Sequence, residues 1–372
     1  MYLPKFTISN EILKNIGVIE ACREVIANAP LIPAYEKRFR EEAVIRTVHH
    51  GTHIEGNDLS FEQAKKVIQK APSETDAVMA LAKTGITARE RDVQEVINYR
   101  EVMEWLEKEW NSSVKDSQEF IYSEAQIKKI HRFLVNRLIH EENQGVYRQT
   151  QVVLRDSQTG EITFRPPPAV EVPYLVEDLV NWLNSKDSRV NHPVIRSAIA
   201  HYALAAVHPF VDGNGRTARA FATLILFVEG YDIKRLFSLE EYFDRDAQSY
   251  YKVLVETSNQ SKDFPSRDLT PWTEYFTKGL SVELTRIKDR IRKVSVDSKI
   301  RRRQGAQLAL SERQMKVVEF LAENSLGVMS QLKNLFPMVS EDTVLRDLQE
   351  LTKEGIIKKR GITKGAHYEL VT

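Results

Sequence analysis

The chain has 372 residues, of which 42% are hydrophobic and 28% charged, and its 53 lysines and arginines nearly balance 52 aspartates and glutamates. This composition excludes a disordered chain, and a formal net charge of +1 excludes a uniformly basic nucleic-acid binder. The single cysteine, Cys22, excludes an intrachain disulfide, and neither a signal peptide nor a membrane span is predicted. We therefore expect a cytoplasmic protein of two or three domains.

Residues 1–115 are predicted to form an N-terminal helical domain. The spacing of apolar residues predicts helices over 13–27 and 34–50, separated by prolines. Another helix is predicted after Ser60, because a serine followed three residues later by glutamine is typical of a helix N terminus. A longer helix over 93–110 carries apolar side chains at helical spacing.

A change of pattern follows the next predicted helix, which begins at Ser123. Residues 150–154 and 162–164 are β-prone and flank a turn at 156–160, which predicts a hairpin. Three prolines at 166–168 end it, because proline supplies no backbone N–H to a strand pair.

Two apolar helices are predicted in the middle of the chain. Residues 194–207 are apolar on nearly all sides, as in a helix surrounded by protein, and this helix ends at His208 because a proline follows. The second helix is predicted over 215–229 and ends at Gly230. The polar loop between the two helices is therefore expected at one end of a helical core.

A basic segment lies within the predicted helical linker, residues 266–306. Residues 286–303 hold nine basic and two acidic side chains, a net charge of +7. We interpret this segment as a solvated helix face, with contact to nucleic acid or an acidic partner as the alternative.

The last predicted domain, residues 307–372, has the pattern of a winged helix-turn-helix. Three predicted helices, the last two over 330–335 and 340–354, precede β-prone stretches at 356–358 and 367–370. Residues 308–372 hold nine basic and nine acidic side chains. The predicted recognition helix is acidic, and the negatively charged phosphate backbone of DNA repels an acidic helix. DNA is therefore a weakly supported partner, behind target recognition or dimer packing.

The loop HPFVDGNGRTAR, residues 208–219, carries the strongest chemical signal. Gly213 and Gly215 let the backbone approach a ligand closely, and the following helix N terminus presents free N–H groups to an anion. Arg216 and Arg219 are three residues apart on that helix, so both can face the same anion. This part of the loop predicts an anion site.

Two further side chains of the loop suit phosphate chemistry. Asp212 offers the oxygen ligand that Mg²⁺ prefers when it accompanies nucleotide phosphates. His208 can take up a proton near neutral pH.

Two other interpretations of the loop are less well supported. Residues 213–218 fit the dinucleotide fingerprint GxGxxA, with Asp232 about 20 residues on, but that fingerprint needs a preceding strand and residues 194–207 predict a helix. A plain glycine-rich turn does not account for a histidine, an aspartate, an asparagine and two arginines within twelve positions. A phosphate-transfer site is favoured.

The loop resembles the signature of the Fic family, HPFx(D/E)GNGRxxR, at every specified position. The resemblance extends to the proline-ended hairpin, the N-terminal helices and the C-terminal winged helix. It implies a mainly α fold with a Fic-type helical core over 116–265, a β-hairpin flap and ATP and Mg²⁺ as cofactors. It also implies protein adenylyltransferase activity, in which AMP moves from ATP to a Ser, Thr or Tyr hydroxyl of a protein.

The resemblance also implies a role for each residue of the loop. His208 would deprotonate the target hydroxyl, and Asp212 would hold Mg²⁺ against the α- and β-phosphates. The remaining site residues would contact the nucleotide phosphates: Gly213, Asn214 and Gly215 as an anion hole, Arg216 along the phosphates and Arg219 at the γ-phosphate.

The hairpin and two tyrosines are included in the resemblance. Val152, Val153 and Leu154 would belong to a flap that docks the target backbone as an added strand, whereas the residues alone also fit a plain surface hairpin. Tyr250 and Tyr251 resemble the family's paired tyrosines beside the adenine, although their spacing alone favours core aromatics.

The segment 49–57, HHGTHIEGN, has two interpretations. His49 and His53 are four residues apart, as in helical metal sites, but no adjacent cysteine or acid completes a ligand set. The segment also resembles the family's inhibitory motif (S/T)xxxE(G/N), with Gly51 in place of Ser or Thr. The resemblance implies that Glu55 pairs with Arg219 and obstructs the γ-phosphate.

Several alternatives remain open from the sequence. The same site could remove AMP from a modified protein, or the chain could be a nucleotide-sensing regulator that binds DNA. The resemblance favours a homodimer.

Overall fold

A computed structural model describes residues 2–29, 33–116, 120–155, 160, 162–231, 233–294, 310–324, 326–361 and 366–371. Its internal contacts divide the chain into two compact units. The larger unit contains residues 1–27 and 34–285, and the smaller contains 28–33 and 286–372.

The described residues of the N-terminal part form five α-helices: α1 (Asn10–Ala27), α2 (Pro33–His53), α3 (Phe61–Lys70), α4 (Ala77–Thr84) and α5 (Glu90–Asp116). The predicted start of α3 has the expected capping box, because Ser60 accepts from the Gln63 N–H and the Gln63 side chain accepts from the Ser60 N–H. Helix α2 extends to His53, so Glu55 lies in the turn just beyond its end.

The predicted hairpin is present but shorter than expected. Helix α6 (Glu124–Leu134) precedes β1 (Leu154–Arg155), which pairs antiparallel with β2 (Ile162–Phe164). The prediction of a strand over 150–153 is wrong, because continuing the Leu154–Phe164 register would place residues 150–152 opposite prolines 166–168, which have no N–H to donate. Residues 156–159, in the predicted turn, lie outside the described residues.

Between the hairpin and residue 294, the described residues form seven α-helices: α7 (Val172–Leu183), α8 (Lys186–Arg189), α9 (Pro193–Val207), α10 (Asn214–Leu226), α11 (Leu239–Arg245), α12 (Ala247–Asn259) and α13 (Thr270–Val294). Helix α9 is buried along nearly its whole length and packs against α10, which is also buried, so these two helices form the centre of the larger unit. Helix α10 ends three residues earlier than predicted, in a π-helical turn over Phe227–Tyr231 that contains Gly230 at φ 78°. None of the described helices combines the length and the apolar character needed to cross a membrane.

From residue 310 onward, the described part of the smaller unit forms three helices and a three-stranded antiparallel sheet. Its elements are α14 (Glu312–Asn324), β3 (Gly327–Val328), α15 (Met329–Asn334), α16 (Glu341–Lys353), β4 (Ile357–Arg360) and β5 (His367–Leu370), with sheet order β3-β5-β4. Val317, Leu332 and Leu348 are fully buried in its separate core. The two-residue strand β3 was not predicted, because so short a segment has no alternating pattern. Residues 295–309, including the second half of the basic segment, lie outside the described residues.

Candidate functional site

The loop between α9 and α10 has a conformation that its sequence requires. His208 ends α9 with left-handed backbone angles of φ 52° and ψ 59°. Gly213 lies at φ 73°, and a Cβ there would come within 2.8 Å of the Val135 side chain, so only glycine fits. The buried Asn214 side chain donates to the Phe210 carbonyl at 2.9 Å and accepts from the Phe210 N–H at 2.8 Å. The Asn214 amide therefore braces the loop, while the first N–H groups of α10 have no acceptor within the helix.

His208 is arranged as a neutral base. Its Nδ1 lies 3.3 Å from the Ala205 carbonyl oxygen, which can only accept, so Nδ1 carries the proton and Nε2 keeps a free lone pair. Burial lowers the pKa of the imidazole, and the opposing charges of Glu55 and Asp212 do not restore it. His208 is therefore neutral near pH 7 and able to accept a proton.

Asp212 and Arg216 form an ion pair at the start of α10. Their carboxylate and guanidinium groups approach to 3.4 Å, and Arg91 reaches the other carboxylate oxygen at 3.1 Å. Burial alone would raise the pKa of the Asp212 carboxyl, but the charge of Arg216 and the Gly213 N–H outweigh it and the pKa lies below its usual value. Arg216 also lies 3.4 Å from the buried Glu95. Asp212 is thus ionised and, with a side chain 37% exposed, accessible.

Glu55 places a carboxylate against the N terminus of α10. Its Oε1 lies 2.8 Å from Arg219 Nη1, which is the ion pair expected from the sequence. A Cβ at Gly215 would overlap the same oxygen, so the carboxylate lies directly over the first turn of the helix. Since a helix N terminus attracts anions, Glu55 occupies the place where a ligand anion would bind.

The turn that carries Glu55 is held from several sides. Arg219 Nη2 donates to the Gly51 carbonyl at 2.9 Å, and a Cβ at Gly51 would lie 2.9 Å from the Tyr99 ring. This contact explains why glycine, rather than serine or threonine, stands at the first position of the motif. The buried Asn57 donates to Glu95 at 2.8 Å and fastens the turn to α5.

A cavity opens beside His208, Glu55 and Gly215. Its walls are mainly apolar and include Leu154 and Phe164 of the hairpin and the side chains of Tyr250, Tyr251, Leu254 and Val255. The mainly apolar lining, with charged groups at one end, suits a planar apolar group attached to charged groups. Of the three predicted flap residues, Leu154 contributes to this wall, whereas Val152 and Val153 precede the strand.

The paired tyrosines differ in their surroundings. Tyr250 is 1% exposed, stacks on Phe243 and places its hydroxyl 3.2 Å from His201 Nε2. Tyr251 is 39% exposed and donates to the Ile54 carbonyl at 3.0 Å, next to Glu55. Tyr250 is therefore a core aromatic that also lines the cavity, and Tyr251 links the cavity wall to the Glu55 turn.

Two residues that brace the loop were not identified from the sequence. Arg148 is buried and donates to the His208 carbonyl at 2.8 Å. His131 stacks on Phe210 with ring centroids 3.7 Å apart, accepts from the Gly145 N–H at 2.9 Å and lies 3.0 Å from the Asp212 carbonyl. For His131, the sequence shows only a histidine on the apolar face of α6, and a histidine in such a place is more often a core residue than a functional one.

His131 predicts a pH dependence of stability. Burial lowers its pKa from 6.5 to about 4, although the hydrogen bond to Asp212 opposes the shift. As the pH falls from 6.5 toward 4, the unfolded chain takes up a proton here that the folded chain does not, so the folded state loses up to about 3 kcal/mol. Urea unfolding at pH 7 and pH 5 is expected to show a smaller loss for His131→Gln than for the wild type, and an equal loss in both would contradict this role.

The three histidines of the 49–57 segment contact Asp244 and one another. His50 and His53 both place Nδ1 on Asp244, at 2.7 and 2.8 Å, whereas His49 packs its ring against theirs. Within the described residues, no group of three or more His, Cys, Asp or Glu side chains is arranged to hold a metal ion.

Sequence comparisons relate part of the chain to known proteins. Residues 121–226 match the model of the Fic/DOC family. The protein adenylyltransferase Fic of Culex quinquefasciatus is 29% identical over 218 residues, which are 59% of this chain and 39% of that protein. The protein adenylyltransferase of Caenorhabditis briggsae is 33% identical over 198 residues, 52% of this chain and 34% of that protein. The chain thus spans less than half the length of these curated relatives.

Solved structures establish the fold. A Fic family protein from Desulfovibrio desulfuricans superposes with a TM-score of 0.62 at 24% identity, and the match covers 100% of this chain and 98% of that one. A Fic domain-containing signalling protein from Bacteroides thetaiotaomicron gives a TM-score of 0.58 at 22% identity, covering 76% and 97%. The predicted fold class, mainly α with a Fic-type core, is confirmed.

Proposed function

We propose that this chain is a protein adenylyltransferase, which transfers AMP from ATP to a Ser, Thr or Tyr hydroxyl of a protein. The observation that carries the proposal is the convergence of a neutral base, a helix N terminus and a buried arginine on one end of an apolar cavity. Phosphoryl transfer asks mainly for positioning and charge stabilisation, and this arrangement supplies both. The names of the relatives support the same activity.

The proposed reaction forms one bond and breaks one bond at the α-phosphorus of ATP. His208 Nε2 accepts the proton of the target hydroxyl, whose oxygen attacks the α-phosphorus. The bond from the α-phosphorus to the oxygen bridging the β-phosphate breaks, and pyrophosphate leaves. The N–H groups at the start of α10, with Arg216 and Arg219, stabilise the charge on the phosphate oxygens. The adenine and ribose occupy the apolar cavity, between Tyr251 and the hairpin.

Asp212 is the residue that would hold Mg²⁺. A single ionised, accessible carboxylate fits this ion, because Mg²⁺ commonly binds one or two carboxylates together with substrate phosphates and water. When bound, the ion would neutralise charge on the phosphates.

Glu55 acts as a brake in this proposal. Its carboxylate pairs with Arg219 and lies over the N terminus of α10, so it repels a phosphate from both groups.

The hairpin presents strand β1 beside the cavity, where a target segment can add as a further strand.

The activity is tested by following each phosphate of ATP separately. The full chain, as wild type and as Glu55→Gly, is incubated with ATP labelled at the α- or the γ-phosphate, and protein-bound label and pyrophosphate are measured. Label from the α-position alone, with release of pyrophosphate, is expected. Label from the γ-position would identify a kinase instead, and the absence of label from both positions would contradict transferase activity.

The position of His208 predicts the acid limb of the rate. Burial lowers the pKa of the His208 imidazole below 6.5, so the imidazole is already deprotonated at pH 6.5. The rate is therefore expected to rise tenfold per pH unit in the acid range and to level off before pH 6.5. Self-modification by Glu55→Gly between pH 4.5 and 8 measures this limb. A midpoint above 6.5 would contradict a buried, neutral histidine as the base.

Removal of AMP from a modified protein is a second candidate activity of the same site. Glu55 and His208 line one cavity, so the carboxylate could orient a water molecule beside the base. Release of AMP from a labelled protein by the wild type, but not by Glu55→Gly, would favour this direction.

A further inference from the structure

Arg148 makes an unusual set of contacts for a buried arginine. Its residue is 3% exposed, and within the described residues its guanidinium bonds only backbone carbonyl oxygens and pairs with no carboxylate. The acceptors are His208 at 2.8 Å, Thr150 at 3.1 Å, Pro167 at 2.6 Å and Val207 at 3.4 Å. Its backbone N–H also donates to the Pro209 carbonyl at 2.9 Å.

These acceptors belong to two separate parts of the site. Val207 and His208 are at the C-terminal end of α9, where carbonyl groups lack helical partners and the helix dipole favours a cation. Thr150 and Pro167 lie on either side of the hairpin, four residues before β1 and three residues after β2. We call the segments before β1 and after β2, which contain Thr150 and Pro167, the stems of the hairpin. One guanidinium therefore joins both stems to the backbone of the proposed base.

We propose that Arg148 is a positioning residue that holds the flap stems and His208 in one fixed geometry. This inference rests on the proposed function, since it gives the hairpin the role of target flap and His208 the role of base. Arginine suits the task because its planar group carries five fixed donors and stays charged when buried. Lysine has a single point of attachment and is unable to reach all four carbonyl groups at once.

The charge of Arg148 adds an independent signature. Three charged groups act on the His208 imidazole: Arg148 lowers its pKa, whereas Glu55 and Asp212 raise it. Replacing Arg148 with a neutral residue is therefore expected to raise the pKa of His208, whereas a lysine that keeps the charge leaves it nearly unchanged. The pKa of His208 therefore reports whether the guanidinium charge of Arg148 lies close to the imidazole.

The test compares Arg148→Lys and Arg148→Met in the full chain carrying Glu55→Gly. Arg196→Lys is the matched control, because Arg196 is equally buried but bonds Ser188, Leu183 and Glu229, away from the site. Four quantities are measured: affinity for a non-hydrolysable ATP analogue, rate of self-modification, amide exchange over 150–154 and 162–165, and the pKa of His208 by NMR.

For Arg148→Lys we expect ATP affinity within about threefold of the parent, a rate lowered at least about tenfold and faster exchange in both flap stems. For Arg148→Met we expect a raised pKa of His208, and Arg196→Lys should change neither the stems nor that pKa.

An Arg148→Lys variant with unchanged rate and exchange would overturn the proposal. So would a folded Arg148→Met variant with an unchanged pKa of His208, or a loss of ATP affinity as large as the loss of rate. If Arg148→Met does not fold, exchange and rate in Arg148→Lys decide the question. If the parent itself acquires no label, the proposed function fails, and exchange and titration still decide whether Arg148 positions the stems and His208.

Discussion

Replacing Glu55 with glycine is expected to increase self-modification by about 10- to 100-fold at subsaturating ATP. In the wild type, ATP has to displace a carboxylate that lies 2.8 Å from a fully buried guanidinium. A charged hydrogen bond of this kind stabilises the closed arrangement by about 1.5–3 kcal/mol, which corresponds to that range of rates. The measurement is incorporation of label from the α-phosphate of ATP at equal protein concentration.

Two further variants separate the charge of Glu55 from its bulk. Glu55→Gln keeps the size and removes the charge, so it should recover part of the gain, because an amide still fills the space over Gly215. Asp58→Gly introduces the same flexibility three residues away, at a side chain that is 78% exposed, and should leave the rate near that of the wild type. Equal labelling by the wild type and Glu55→Gly would contradict the hypothesis that Glu55 inhibits the reaction.

Loss of the His208 imidazole is expected to reduce labelling by about 10²- to 10⁴-fold, the usual contribution of a general base. Alanine removes the base, but position 208 has left-handed backbone angles that alanine adopts with strain. Asparagine tolerates those angles better and has no basic nitrogen, so His208→Asn is the cleaner variant.

ATP affinity separates a lost base from a lost fold in this experiment. Both His208 variants, made in the Glu55→Gly chain, should bind a non-hydrolysable ATP analogue nearly as well as their parent. A matched control is His140→Ala, which changes an exposed histidine and should retain full activity. Persistent labelling in His208→Asn would show that another group accepts the proton.

The sequence predicts those parts of the site that depend on short-range pattern. The loop 208–219 joins adjacent helices, so its glycines, its arginines and the base are constrained by residues a few positions apart. The Glu55–Arg219 pair spans 164 positions and was expected only because of a family resemblance. Its geometry, with the carboxylate over Gly215, depends on how α2 and α10 pack.

The residues that brace the site escaped prediction for a physical reason. Arg148 and His131 bond to backbone carbonyl and N–H groups. Because nearly every residue has these groups, the sequence does not mark the ones that are used. Strand content at 150–153 was overestimated because β propensity describes one segment, whereas pairing depends on the donors of the opposite one. Gly51 is explained only by the ring of Tyr99, a long-range contact.

The attachments of the Glu55 turn have a consequence for the kinetics of inhibition. His50 and His53 fasten the end of α2 to Asp244, and Tyr251 holds the Ile54 carbonyl. With the backbone fixed on both sides, Glu55 can leave Arg219 by rotating its own side chain, a motion of picoseconds to nanoseconds for a partly exposed residue. Inhibition should therefore behave as a rapid equilibrium that rising ATP concentration overcomes, and time courses begun with ATP should be linear from the first turnover, without a lag.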